Sequence, residues 1–213
     1  MLRRAPRECG SWFWDLDGVT EPGLRPALAT AGRMAAVLRE YELLEPADLE
    51  WSWFEVGRGG LGIHSRLGLM GRSLDDTAQL AQQVRACRPV GHPAAEVSAI
   101  LVTGPGLWLD AEGNRRREPR LVELTVSPDP GGSWAELSVH HDIWGPCDFR
   151  GRPHLTVYAH NAPRLSAALR SLDVELEVVA APVEPTYFGV AEGRGIKAPE
   201  IIDGVGPDLT DLP

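Results

Sequence analysis

The sequence predicts an α+β protein, with a largely antiparallel sheet containing a central meander and packed by about three helices. Three observations predict it. Apolar residues recur near the helical period in three segments, and they alternate with polar residues in many short runs. Between residues 96 and 144 the alternating runs follow one another across loops too short for helical crossovers, which makes neighbouring strands antiparallel.

SWFW (11–14) reads as a short strand and DGVTEPG as the turn leaving it. A helix follows from Pro26 to Glu45, with Leu28, Ala31, Met34, Ala35, Leu38 and Tyr41 on one stripe, Pro26 suited to its first turn and Pro46 to its end. LEWSWFEV (49–56) alternates, placing Leu49, Trp51 and Trp53 on one side and Glu50, Ser52 and Phe54 on the other. After a glycine-rich loop, a second helix is expected from Ser73 as N-cap, with Asp76 in the capping-box position and Pro89 as its stop. The meander comprises VSAILV, LWL, a turn at DAEGN, RLVELTV, a loop at SPDPGGS and WAELSVHHDIW. HLTVYAH reads as a strand, a third helix starts at Asn161 with Leu165, Ala168, Leu169 and Leu172 buried, and VELEVVA and PTYFGVA read as strands. Residues 1–192 then form one domain. Residues 193–213, rich in Gly and Pro and carrying Glu200, Asp203, Asp208 and Asp211, form an extended acidic tail.

With 213 residues, 43% of them hydrophobic, the chain can close one core without disulfide or metal staples. A formal net charge of −9 opposes binding to nucleic-acid phosphates unless a local basic patch overcomes it, and RRREPR (115–120) is the one such run. Lys197 is the only lysine among 21 basic residues. Cys9, Cys87 and Cys147 are odd in number and widely spaced, which fits a reducing, cytoplasmic setting. No run reaches 18 apolar residues, so no membrane span is expected.

Candidate chemistry lies in three places. In HHDIWGPCDFRGRPH (140–154), a strand continuing through Trp144 would put His140 and Asp142 on one face with Glu136 and Ser138, and His141 on the other. Two such ligands, with Cys147 or His154 folding back, could hold zinc or manganese. If RLVELTV pairs with WAELSVHHD across the loop, Glu123 stands opposite Ser138 and Thr125 opposite Glu136. Glu123, Trp134, Glu136, His140, Asp142 and Trp144 then form an acidic, aromatic surface, the composition of a protein-binding hot spot, with Trp134 and Trp144 partly exposed. The second place is GRGGLG (57–62), which fits a dinucleotide fingerprint but lacks the helix that must begin at its last glycine, so it is expected to be a loop.

The third place is WFWDLDGVT (12–20), which resembles the first motif of the haloacid dehalogenase superfamily. The resemblance covers about ten residues and implies Asp15 as nucleophile, Asp17 as acid/base and a magnesium ion between them. That family also implies a parallel sheet, a lysine ahead of a helix and a closing acidic pair, whereas here Lys197 stands six residues before Asp203 with no room for a helix. The competing reading makes Asp15 and Asp17 turn-forming residues around Gly18. In overall character (small, acidic, rich in aromatics, without an assembled catalytic motif) the chain resembles immunity proteins that neutralise bacterial polymorphic toxins. The resemblance implies a non-catalytic binding module without a cofactor, engaging a protein with a basic surface rather than nucleic acid or membrane. The alternative is a metal-dependent hydrolase or phosphatase using Asp15 and Asp17, or His140 and Asp142.

Overall fold

The computed structural model describes residues 2–129 and 131–210; Pro130 of the predicted loop and Asp211 of the predicted tail lie outside them. The elements in chain order are β1 (Gly10–Asp15), α1 (Leu24–Glu40), β2 (Asp48–Glu55), β3 (Gly59–Gly68), α2 (Thr77–Ala86), β4 (Glu96–Thr103), β5 (Gly106–Leu109), β6 (Arg115–Glu118), β7 (Val122–Ser127) and β8 (Trp134–Val139). A 3-10 turn at Asp142–Trp144 follows, then α3 (Leu155–Leu176) and the short strands β9 (Ala181–Pro182), β10 (Ala191–Glu192) and β11 (Gly195–Ile196). Seven strands make one sheet in the order β3-β2-β4-β7-β8-β1-β9, and every pairing in it is antiparallel. The α+β class with a mostly antiparallel sheet is therefore what the alternation predicts.

One face of the sheet is sealed by the helices. Leu49, Trp51 and Trp53 of β2, Ile100 and Val102 of β4, Leu124 and Val126 of β7, Leu137 of β8, and Trp12 and Trp14 of β1 are all buried there. Tryptophan supplies large buried area but brings an N–H that needs an acceptor. Trp14 Nε1 donates to Asp173 Oδ1 at 2.9 Å, Trp12 Nε1 to the Gly193 carbonyl at 2.8 Å, and Trp53 Nε1 to Ser65 Oγ at 2.9 Å. The first two bonds tie the sheet to α3 and to the C-terminal segment.

Several elements depart from the expected pattern. The glycine-rich loop is instead the hairpin turn into strand β3, with the glycines at 57, 59 and 62 at positive φ. β-Propensity and alternation miss it because an edge strand needs only backbone pairing on one side. LWL does not join the main meander: β5 folds back on β6, so the arginine run 115–117 is a strand of a separate two-stranded hairpin. WAELSVHHDIW ends as a strand at Val139. HLTVYAH forms the opening turns of α3, and VELEVVA straddles its C-terminus, where Glu177 closes the helix at φ 55°. α2 is capped by Asp76, whose carboxylate accepts the Gln79 amide at 3.1 Å, while Ser73 lies in the preceding turn.

Residues 193–210 carry little regular structure but are fastened to the body. Arg194 donates through two nitrogens to Asp173 Oδ2, the Gly206 amide to Gly151 O at 2.8 Å, and the Leu209 amide to Phe149 O at 2.7 Å. No described helix is long and apolar enough to cross a membrane.

Candidate functional site

The second face of the sheet carries no helix. Register places Glu123 opposite Ser138 and Thr125 opposite Glu136, and on the other side of β8 it places Phe13 opposite Glu136 and Asp15 opposite Trp134. The pairing anticipated across 121–142 thus holds within the strands, and β1 adds a second row to it. Trp134 is half-buried, with its ring centroid 5.7 Å from that of Phe13 and the planes 31° apart. Beside this aromatic pair sits Glu136. Burial pushes its carboxyl above the usual carboxylate range, against the hydroxyls of Ser11 and Ser138, and the charge of Glu8 adds to the rise. Among the described residues no cation pairs with it, and Ser138 Oγ, at 3.3 Å, is its hydrogen-bond partner.

Glu123 has the opposite environment. Burial alone would raise its carboxyl, but the His140 ring, with Nε2 3.6 Å away, and then the Arg120 and Arg4 guanidinium groups hold it down at about 2. Arg4 donates to it at 2.6 Å and Arg120 at 3.1 Å. The chain of pairs runs on through Arg120 to Glu50 at 3.6 Å, then to Arg66, which lies 2.7 Å from Asp48. This half of the face is a self-neutralised ladder, so the acidic surface is narrower than composition suggests; around β1 and β8, Glu136 and, at the strand end, Asp15 make no ion pair among the described residues.

The cluster at 140–154 is split rather than gathered. Because β8 ends at Val139, the chain turns into the core, and Asp142 and Trp144 are buried at 3% and 0% exposure. Trp144 therefore does not share the open face with Trp134, contrary to the expected alternation. His140 stays near Glu123, while Asp142 faces away, its Oδ1 accepting the Arg3 amide at 3.1 Å. His154 Nε2 is engaged by the Gly145 carbonyl at 2.8 Å. Cys147 is buried and free, as is Cys9, and burial pushes the thiols of both upward. Among the described residues no group of three or more His, Cys, Asp or Glu side chains is placed to hold a metal ion. His141, expected on the face opposite His140, is buried; its Nε2 lies 3.6 Å from the Glu118 carboxylate, beyond hydrogen-bond reach, and burial, then the charge of Arg4, lowers its pKa to about 4.

The opening motif forms a turn. Asp15 Oδ1 accepts the Asp17 amide at 3.0 Å and Gly18 takes φ 73°, which is the Asx-turn geometry. The parallel sheet that the phosphatase resemblance implies is replaced by antiparallel pairing on both sides of β1.

Sequence reasoning missed a concavity beneath the C-terminal segment. A cavity of about 360 Å³ lies between the 141–149 loop and residues 186–209, with Asp142, Phe149, Phe188 and Ile196 in its wall. Its signal in the sequence was indirect: polar residues crowded into HHDIW beside an aromatic, proline-rich tail. No family model, no curated protein and no solved structure matches the chain.

Proposed function

We propose that the protein is a non-catalytic binding module that engages a protein with a basic surface through Phe13, Trp134 and Glu136. The observation carrying this reading is Glu136, a partly desolvated carboxylate with no cation partner, next to a half-exposed aromatic pair. An arginine or lysine from a partner would supply the missing charge and lie on the Trp134 face, where cation–π attraction adds to the pairing. The net charge of −9 supports the same direction, since it speeds encounter with a cationic target. Immunity-type neutralisation of a toxin in the cytoplasm is the biological setting this binding chemistry suits best. Glu123 and His140 act beside the patch as a neutralised border; Asp142 and Trp144 stand outside it.

The test is titration of the protein with the purified products of the genes flanking its own. One basic product should bind, and Trp134→Ala and Glu136→Gln should each weaken it roughly 30-fold, the scale of a hot-spot truncation near 2 kcal/mol. Binding that ignores both substitutions, or no binding by any product, contradicts the reading.

A further inference from the structure

Neither Trp134 nor Glu136 lines the cavity beneath the C-terminal segment, so the binding reading leaves it without a role. Its wall is mainly apolar. Phe149 and Phe188 meet edge to face at 6.0 Å, and Tyr187, Ile196 and Leu209 continue the lining. The polar side chains of the wall are engaged, turned away or at its margin. Asp148 is half-buried, and its Oδ1 accepts the Arg150 and Arg152 amides, both at 2.9 Å. Thr186 Oγ1 donates to Glu8 O at 2.6 Å and accepts the Phe188 amide at 3.1 Å, and Cys9 Sγ donates to Val139 O at 3.2 Å. Burial raises the Cys147 thiol and keeps it protonated, which makes it a small, weakly polar group. Asp142 Oδ1 accepts the Arg3 amide, while Asp142 Oδ2 and both ring nitrogens of His141 have essentially no accessible surface and do not face the cavity. Lys197 and Glu200 are exposed at the margin, where Lys197 Nζ lies 3.7 Å from Glu192.

This wall decides the ligand class. Water held against it finds few hydrogen-bond partners, and a charged ligand would give up its hydration with little in return. A volume near 360 Å³ falls in the range of small-molecule sites, roughly 300–1,000 Å³. We infer that the cavity binds an uncharged aromatic molecule of one or two rings, packed among Phe149, Phe188 and Ile196. Edge-to-face and offset contacts with the two phenylalanines favour a flat ring over an aliphatic chain of equal volume. Residues from Lys197 to Leu209 form the outer wall, fastened to the body by the Lys197 amide on Val190 O at 2.9 Å and by the Gly206 and Leu209 amides. The ligand enters as this segment lifts.

Three probes that share one ring system test the inference on the unmodified protein: naphthalene, 1-naphthylmethylamine and 1-naphthoate, titrated by ligand-observed NMR with thermal shift in parallel. Naphthalene should saturate and raise the melting temperature, and the cation and the anion should each bind roughly tenfold more weakly or worse. Gly145 lines the cavity at an extended backbone position (φ −112°, ψ 165°), where a Cβ meets its neighbours at ordinary distances, the nearest at 3.9 Å. Gly145→Leu adds bulk there and should abolish naphthalene binding. Trp134→Ala, on the open sheet face, should leave it unchanged. Failure of naphthalene to saturate, equal or tighter binding of either charged probe, binding unchanged in Gly145→Leu, or binding lost in Trp134→Ala would overturn the inference. Because the probe series needs no variant, misfolding of Gly145→Leu leaves the test intact, and none of these outcomes depends on capture of a basic partner.

Discussion

At the residue scale, the two tryptophans Trp14 and Trp144 separate packing from hydrogen bonding. Both are fully buried, but Trp14 Nε1 donates to Asp173 whereas Trp144 Nε1 has no partner. Trp14→Phe should therefore cost about 2 kcal/mol, the loss of a bond to a charged acceptor on top of a small void, and Trp144→Phe about 1 kcal/mol or less. Urea denaturation of the two variants checks the ordering. Glu136 gives a second residue-scale expectation. Its folded pKa is raised, so the fold binds more protons than the unfolded chain above pH 4.5, and stability falls as the carboxyl ionises. Glu136→Gln should then stabilise the protein at pH 7, on the order of 0.5 kcal/mol, while weakening capture of the partner. A variant that loses both stability and binding would mean that Glu136 is structural.

His141 and Glu123 set the acid limb of stability. With a folded pKa of about 4 against an ordinary 6.5, His141 binds fewer protons folded than unfolded between these values, so stability rises with pH across that window. Glu123, held at about 2 against 4.5, has the same sign one step lower: its contribution is present above 4.5 and is lost as pH falls toward 2. Denaturation measured from pH 7 to 3 should show a progressive loss, and His141→Phe should flatten the part between 6.5 and 4. An unchanged slope in that variant would remove His141 from the account.

At the element scale, the C-terminal segment is held by few bonds for its length. Arg194 on Asp173 is the strongest of them, a charge-assisted contact made by two guanidinium nitrogens. Arg194→Ala leaves Asp173 with the Trp14 indole and the Ala180 amide, so the core should survive while residues 197–210 become cleavable. Limited proteolysis followed by mass spectrometry should show early cuts confined to that segment. Cuts spread through the domain would mean that the latch supports the core as well.

The elements also show where sequence reading works. β1, β2, β4, β7 and β8 are legible because side chains alternate between a sealed face and a wet one, and the burial of Leu49, Trp51 and Trp53 follows from that period alone. α3 is legible only from its middle onward. Asn161, two residues before Pro163, looks like a cap with a first-turn proline, yet it lies inside the helix, where its amide bonds both Leu109 backbone groups at 2.9 and 2.8 Å. A long-range contact satisfies those groups, and local pattern cannot report it. The same limit applies at Val139: nothing local in VHHDIW announces that the strand stops and the chain dives inward, so Asp142 and Trp144 left the candidate surface for the core.

At the scale of the whole molecule, the sheet order is the least legible feature. β1 inserts between β8 and β9 from the opposite end of the chain, and no hairpin rule predicts that placement. Its consequence is functional, because Phe13 reaches Trp134 only through that insertion. Charge acts at this scale too. If the net charge of −9 steers a basic partner, the association rate should fall steeply between low salt and 0.5 M, while the dissociation rate changes little. A salt-independent association rate would leave capture to the aromatic pair alone.

The central claim, that the open sheet face at β1 and β8 is the binding surface, is tested most directly by covalent footprinting of the protein alone and in complex with the flanking-gene product that it captures. Tryptophan oxidation and carboxyl labelling should mark Trp134 and Glu136 in the free protein and leave both protected in the complex, with Glu112 and Glu192 labelled equally in the two states. Full reactivity of Trp134 within the complex, with protection located elsewhere, would contradict it.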